Sequence, residues 1–274
     1  MDGKGSTDAF PYVKQDHSKL PKNEGGEDGN NTDDDNNDDA TNNEKAVKSA
    51  KIAEEAAALA KEAATNASYI MQTVDMKKSA VVEYIEKVQG QLLLAQLEKE
   101  RAQKAYEDAI ICCGLTASQI ALGEDTTLEQ LAGYIQVAKD ARDAAEKAYA
   151  AAREQLAEAE AEKQALDEAL ADVRGLHQKA LDAWSATEIE LGNIQRLPVD
   201  TPEQEDALAR AQAAYQAAYE SFKETEAMVA TAEKEEKEAD AAIAEIKDAV
   251  NTAAEYVRNS EEYVAEIQML IDER

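Results

Sequence analysis

Aromatic residues, proline, glycine, cysteine, histidine and basic residues are all scarce in this chain, and each scarcity removes a class of answers. Aromatics make up 5% of the 274 residues. A globule of this size would fill its core with Phe, Trp, Leu and Ile. The apolar set here is mostly Ala, which suffices only for a stripe along a slender element. Four Pro and 11 Gly leave room for long uninterrupted helices. The two cysteines, Cys112 and Cys113, are adjacent. Two are too few for a disulfide framework, so a reducing, cytoplasmic site of synthesis is the expectation. The sequons at Asn30 and Asn66 then carry no meaning.

Catalytic and metal chemistry lose their usual residues in the same way. The only histidines are His17 and His177. Cys112-Cys113 without a nearby His fails the spacings of zinc sites. The chain shows no phosphate-binding glycine loop and no nucleophile elbow. The stretch from Asp28 to Asp39 has the length of a calcium loop. It carries Asp33 where the turn needs Gly, and it ends in Asp rather than Glu. Neither an enzyme nor a cofactor site is expected. His177 reads as a packed side chain, Cys113 as a small buried one, and Cys112 as partly exposed.

Lys and Arg number 29 against 58 Asp and Glu, a net charge of −29. Nucleic acid is excluded as a partner, because phosphate backbones require clustered bases. Anionic membrane surfaces are disfavoured for the same reason. No run approaches the roughly 20 apolar residues of a membrane-spanning helix. No apolar stretch follows Met-Asp-Gly-Lys-Gly, so a signal peptide is not expected, and Asp2 stands where myristoylation needs Gly.

What is abundant is helix-forming. Ala, Glu, Lys, Leu, Gln and Arg fill residues 44–274. The expected fold is all-α: a long antiparallel three-helix coiled-coil bundle with a disordered acidic N-terminal tail. Helices are expected near 43–113, 128–197 and 202–274, each about 105 Å long. Thr-x-x-Glu/Gln precedes each one, at Thr41/Glu44, Thr127/Gln130 and Thr201/Gln204. Pro202 sits at the first helical position.

Heptads set the pairing. Helix 2 keeps 4-3 spacing from Leu131 to Ile194, and helix 3 does so from Leu208 to Ile271. A hairpin at Pro198–Thr201 places residues whose numbers sum to 399 opposite each other. Trp184 then meets Tyr215, His177 meets Phe222 and Leu170 meets Val229. The same rule puts Lys163 opposite Glu236, a register-setting pair that penalises slipped alignments. Arg142 falls opposite Val257 and is expected to snorkel. A second apolar stripe on both helices calls for a third helix. Helix 1 supplies it from Ala67 to Cys113. Its earlier apolar residues, Ile52, Ala56, Leu59 and Ala63, shift phase, which predicts a stutter near residues 63–70. Helix 1 within the same chain is the expected third partner, and packing on a second copy in a homo-oligomer is the alternative.

The first 43 residues form a tail of two parts. Residues 24–44 hold nine acids, no Lys or Arg, and much Asn and Gly, the composition of a disordered tether. Residues 8–21 hold nearly all the apolar side chains of the tail. Phe10, Pro11, Tyr12, Val13 and Leu20 make a candidate docking peptide for a partner's groove or sheet edge.

Residues 112–138 are the least repetitive part of the helical region. Gly114-x-Thr116 followed by Thr126-Thr127-Leu128-x-x-Leu131-Ala132-x-x-Ile135 resembles short helical segments in tail and fibre proteins of tailed bacteriophages. The resemblance covers about a tenth of the chain, and no motif is long enough to carry residue roles across. It implies a virion structural role: a helical spacer anchored by its N-terminal peptide, partnered by capsid, neck or tail proteins. The usual distal binding domain of a fibre has no counterpart here. The alternative is a cytoplasmic coiled-coil adaptor or surface-associated helical protein outside any virion.

Overall fold

A computed structural model describes the backbone of residues 35–118 and 124–273, and the side chains of 40–114 and 128–273. The chain divides into two compact units, Met1–Thr41 and Asn42–Arg274. The account below concerns the second. The elements are α1 (Asp35–Ser118), α2 (Glu124–Gln195) and α3 (Pro202–Asp272). The fold is an all-α three-helix bundle.

Contacts across the helices fix their directions. α2 and α3 run antiparallel: Trp184 lies 6.1 Å from Tyr215 and His177 lies 5.2 Å from Phe222, centroid to centroid. Both pairs were expected from the hairpin register. α1 and α2 are also antiparallel, since Lys77 meets Glu162 while Cys112 meets Gln130. α1 and α3 are therefore parallel. The difference in number between partners is 158 at Asn43–Thr201, 156 at Glu54–Arg210 and 157 at Tyr106–Tyr263. The third helix is supplied by the same chain.

A ladder of layers holds the bundle together. Stepping by seven from Ala46 to Ala109 on α1, from Leu131 to Ile194 on α2, and from Gln204 to Ile267 on α3, every residue is at most 1% exposed. Each helix contributes one such side chain to each of ten layers, and 17 of the 30 are Ala. Ala costs little entropy in a helix and lets three backbones approach closely. The ladder spans about 95 Å, nine steps of seven residues at 1.5 Å each. Where it carries hydroxyls, they bond to their own helix. Thr187 Oγ1 donates to the Trp184 carbonyl, Thr225 to Phe222 and Ser260 to Tyr256. None is left unsatisfied in the dry interior.

Three expectations are corrected. The stutter in α1 is absent: Ala46, Ala50, Ala53, Ala57, Ala60, Ala64 and Ala67 keep 4-3 spacing and are buried, while Leu59 is 61% exposed. At this level α2 and α3 already supply Trp184, Tyr215, His177 and Phe222. Only Ala fits against them, so the larger residues of α1 are turned outward. The cap boxes at Thr41 and Thr127 are not helix starts, because α1 begins at Asp35 and α2 at Glu124. Acidic residues in a first turn favour such extension. Residues 35–44 of the expected tether are accordingly helical. Cys112 and Cys113 exchange roles, Cys112 being buried and Cys113 half-buried.

The third cap box is present. Thr201 Oγ1 accepts from the Gln204 backbone N–H at 3.2 Å, and the Gln204 side chain accepts in return from the N–H groups of Asp200 and Thr201. Thr201 also donates to Asn43 Oδ1 at 2.8 Å. One turn therefore starts α3 and ties it to α1.

Candidate functional site: the aromatic end, the charged layer and the outer face of α1

Near the α2–α3 turn, five rings gather on two helices. Trp184 stacks on Phe222 at 5.0 Å and contacts Tyr215 and Tyr219; His177 covers the other side of Phe222. Offset aromatic contacts of this kind add to simple burial. His177 Nδ1 lies 3.0 Å from Thr225 Oγ1. The Thr225 hydroxyl spends its proton on the Phe222 carbonyl, so Nδ1 carries the hydrogen and Oγ1 accepts. The ring is thus a packed, tautomer-locked member of the seam.

One layer of the second seam position is charged on all three helices, at Lys78, Lys163 and Glu236. The expected Lys163–Glu236 pair is not formed. Lys163 Nζ lies 2.6 Å from Asp167 on its own helix and 2.9 Å from Asp240 on α3. The long side chain leaves the axis to reach two carboxylates at the rim, one turn beyond Glu236. Burial disfavours its charge, and the two carboxylates outweigh that and hold its pKa above the ordinary value. Lys78 behaves alike, pairing with Glu235 and Glu238 on α3 at 2.9 and 2.8 Å. Hydrogen bonds to those carboxylates raise its pKa, and Glu238 is held low in turn. Further along, Arg142 snorkels to Asp143 and Glu146 on its own helix.

Toward the aromatic end, Arg210 clamps Glu54 with two bonds of 2.7 Å from Nε and Nη2. That hydrogen bonding holds the Glu54 carboxyl below its ordinary pKa. At the opposite end, Cys112 Sγ lies 3.2 Å from Gln130 Oε1.

The outer surface is uneven. Fifteen large apolar side chains stand exposed among the described residues, and eleven of them are on α1. Leu93, Leu94 and Leu97, each at least half exposed, form one contiguous patch. A shallow groove of about 530 Å³ between α1 and α2 is lined by Leu59, Ala63, Leu176 and Ala183, with Glu62, Lys179 and Asp182 among its charged residues. Charge is uneven too. Over its full length α1 carries fourteen acids and ten bases, and from Ala46 to Cys113 ten and nine. α2 carries sixteen and seven, and α3 eighteen and six. The seam expected from Ala67 to Cys113 leaves Leu93, Leu94 and Leu97 off the core, where the structure places them; Ile52 and Leu59, expected inward, face out. Among the described residues no group of His, Cys, Asp or Glu is arranged to hold a metal ion. No helix among them is long and apolar enough to cross a membrane. The candidate docking residues Phe10, Pro11, Tyr12, Val13 and Leu20 lie outside the described residues, as does the Asp28–Asp39 stretch for the most part.

No protein-family model matches the chain, and no curated protein matches it in sequence. Among solved structures, it is similar to a computationally designed three-helix bundle at 15% identity and a TM-score of 0.38. That match covers 81% of this chain and 97% of the designed one.

Proposed function

We propose that this protein is a structural spacer, a stiff helical bundle joined through its N-terminal segment to whatever binds the peptide at residues 8–21. The observation that supports it is the ten-layer ladder: about 95 Å of buried heptads without a break. A hinge within the bundle would interrupt such a ladder, and among the described residues it runs without interruption. The setting proposed is a phage virion, with the chain as an accessory or fibre-like component docked through residues 8–21 onto a capsid, neck or tail protein. The tail-plus-bundle plan and the segment 112–138 support that setting. The second setting is a cellular adaptor.

Deletion of residues 1–23 tests the anchor. The shortened protein should fold normally and no longer enter the assembly, and residues 1–23 fused to an unrelated soluble protein should enter it. Unchanged incorporation of the shortened protein would sink the anchored-spacer reading. Absence of the full chain from purified particles would leave the adaptor.

A further inference from the structure

We propose that the outer face of α1 is where two copies of this chain associate, antiparallel, with the leucine patch of each lying on that of the other. This goes beyond the spacer reading and does not depend on it.

The leucines are the starting point. Leu93, Leu94 and Leu97 occupy solvent positions on a helix whose inward positions are already filled, and among the described residues none covers them. Isolated exposed apolar residues need no explanation, but three on adjoining turns of one helix form a patch. The patch is rimmed by charge of both signs, including Glu86, Arg101 and Lys104.

Electrostatics then chooses the occupant. A basic partner would be drawn to α2 and α3, where acids exceed bases by nine and twelve. α1 offers such a partner an excess of one between Ala46 and Cys113. A second copy has the opposite preference. Two chains of charge −29 can approach closely only where neither presents its acidic faces, and α1 is that place. Pairing α1 with α1 leaves the four acidic helices of the dimer pointing away from the contact.

An isologous contact fixes the register. Placing Leu93 opposite the second copy's Leu97 buries both leucine pairs around the two-fold axis. The same alignment brings Glu86 opposite the second copy's Lys104, twice by symmetry. It also sets Glu83 against Glu107 at the ends of the overlap, a like pair that limits affinity. The contact is at the small end of specific interfaces, so a dissociation constant on the order of 10 µM is expected.

Sedimentation equilibrium of the full chain from about 1 to 200 µM, at about 0.15 M salt, where repulsion between the acidic faces is screened, is the test. A reversible monomer–dimer equilibrium is expected. Leu93→Gln with Leu97→Gln should weaken it at least tenfold with helicity unchanged, because both positions are exposed. Ile189→Gln, on the outer side of α2, should leave it unaltered. Glu86→Lys and Lys104→Glu should each weaken the dimer, and the two together should restore it. A chain that stays monomeric to 200 µM overturns the proposal. So does a dimer indifferent to the leucine changes, or one abolished only by removing residues 1–34. A dimer that responds to the leucines but shows no charge-swap rescue overturns the antiparallel register.

Discussion

At the scale of single residues, the interior divides into positions that tolerate only Ala and positions that take whatever reaches the rim. Ala159 sits fully buried in a layer with Val81 and Ala239. Ala159→Leu must push three backbones apart, and a loss of about 1–3 kcal/mol is expected in urea unfolding. Lys163 belongs to the second kind. A double-mutant cycle between Lys163 and Asp240 should show coupling of less than about 1 kcal/mol, given the exposure of the carboxylate, and a cycle between Lys163 and Glu236 should show less still. Equal or larger coupling to Glu236 would contradict the observed geometry. The sequence placed Lys163 and Glu236 at one level correctly. It could not show which carboxylate the ammonium takes, because a lysine stem spans more than one helical turn. Glu54 carries a pH signature. Its folded-state pKa is depressed by Arg210, so its contribution is complete above the ordinary carboxylate value and disappears as pH falls through the lower folded one. Glu54→Gln should therefore reduce stability at neutral pH and flatten the acid limb of the Tm curve.

At the scale of elements, legibility followed side-chain size. α2 and α3 alternate small and large residues at their seams, so their phase could be read directly, and the Trp184–Tyr215 and His177–Phe222 contacts came out as the register required. From Ala46 to Ala67, α1 has few large apolar residues, and those few, Val47, Ile52 and Leu59, are on the outside. Hydrophobicity alone assigns them inward, which yields a stutter that the structure lacks. The space left by the aromatic residues of the other two helices, a property of three elements together, decided the phase. The start of α3 was legible because its cap is chemical: Thr201, Pro202 and Gln204 name their own positions. Thr201→Ala should lower stability by about 1 kcal/mol, read by thermal denaturation, and should also detach Asn43 from the turn.

For the whole molecule, the topology is legible in the sequence, whereas the distribution of charge over its faces emerges only once the helices are placed. Acids outnumber bases mainly on α2 and α3, which lie side by side. Their mutual repulsion is long-ranged and screened by salt, whereas the cross-helix pairs are few. Added NaCl between about 0.02 and 0.5 M should therefore raise Tm. A Tm that falls with salt would mean that the ion pairs dominate. The N-terminal peptide, on which the anchored-spacer reading depends, is legible in the sequence through composition alone and lies outside the described residues.

The repetition of the layers has a mechanical side. Only two of the ten layers, Ala60 with Ala180 and Ala218 and Ala95 with Ala145 and Ala253, are alanine on all three helices. Sliding one helix past its neighbours by seven residues, about 10 Å, therefore sets small side chains against larger ones at most levels. The strongest resistance to shear comes from the aromatic gathering at one end, the charged level near the middle, and Tyr106 on Tyr263 toward the other. Under a pulling force these act as detents, and a chain held at its two ends would yield in steps of one heptad where they are weakest.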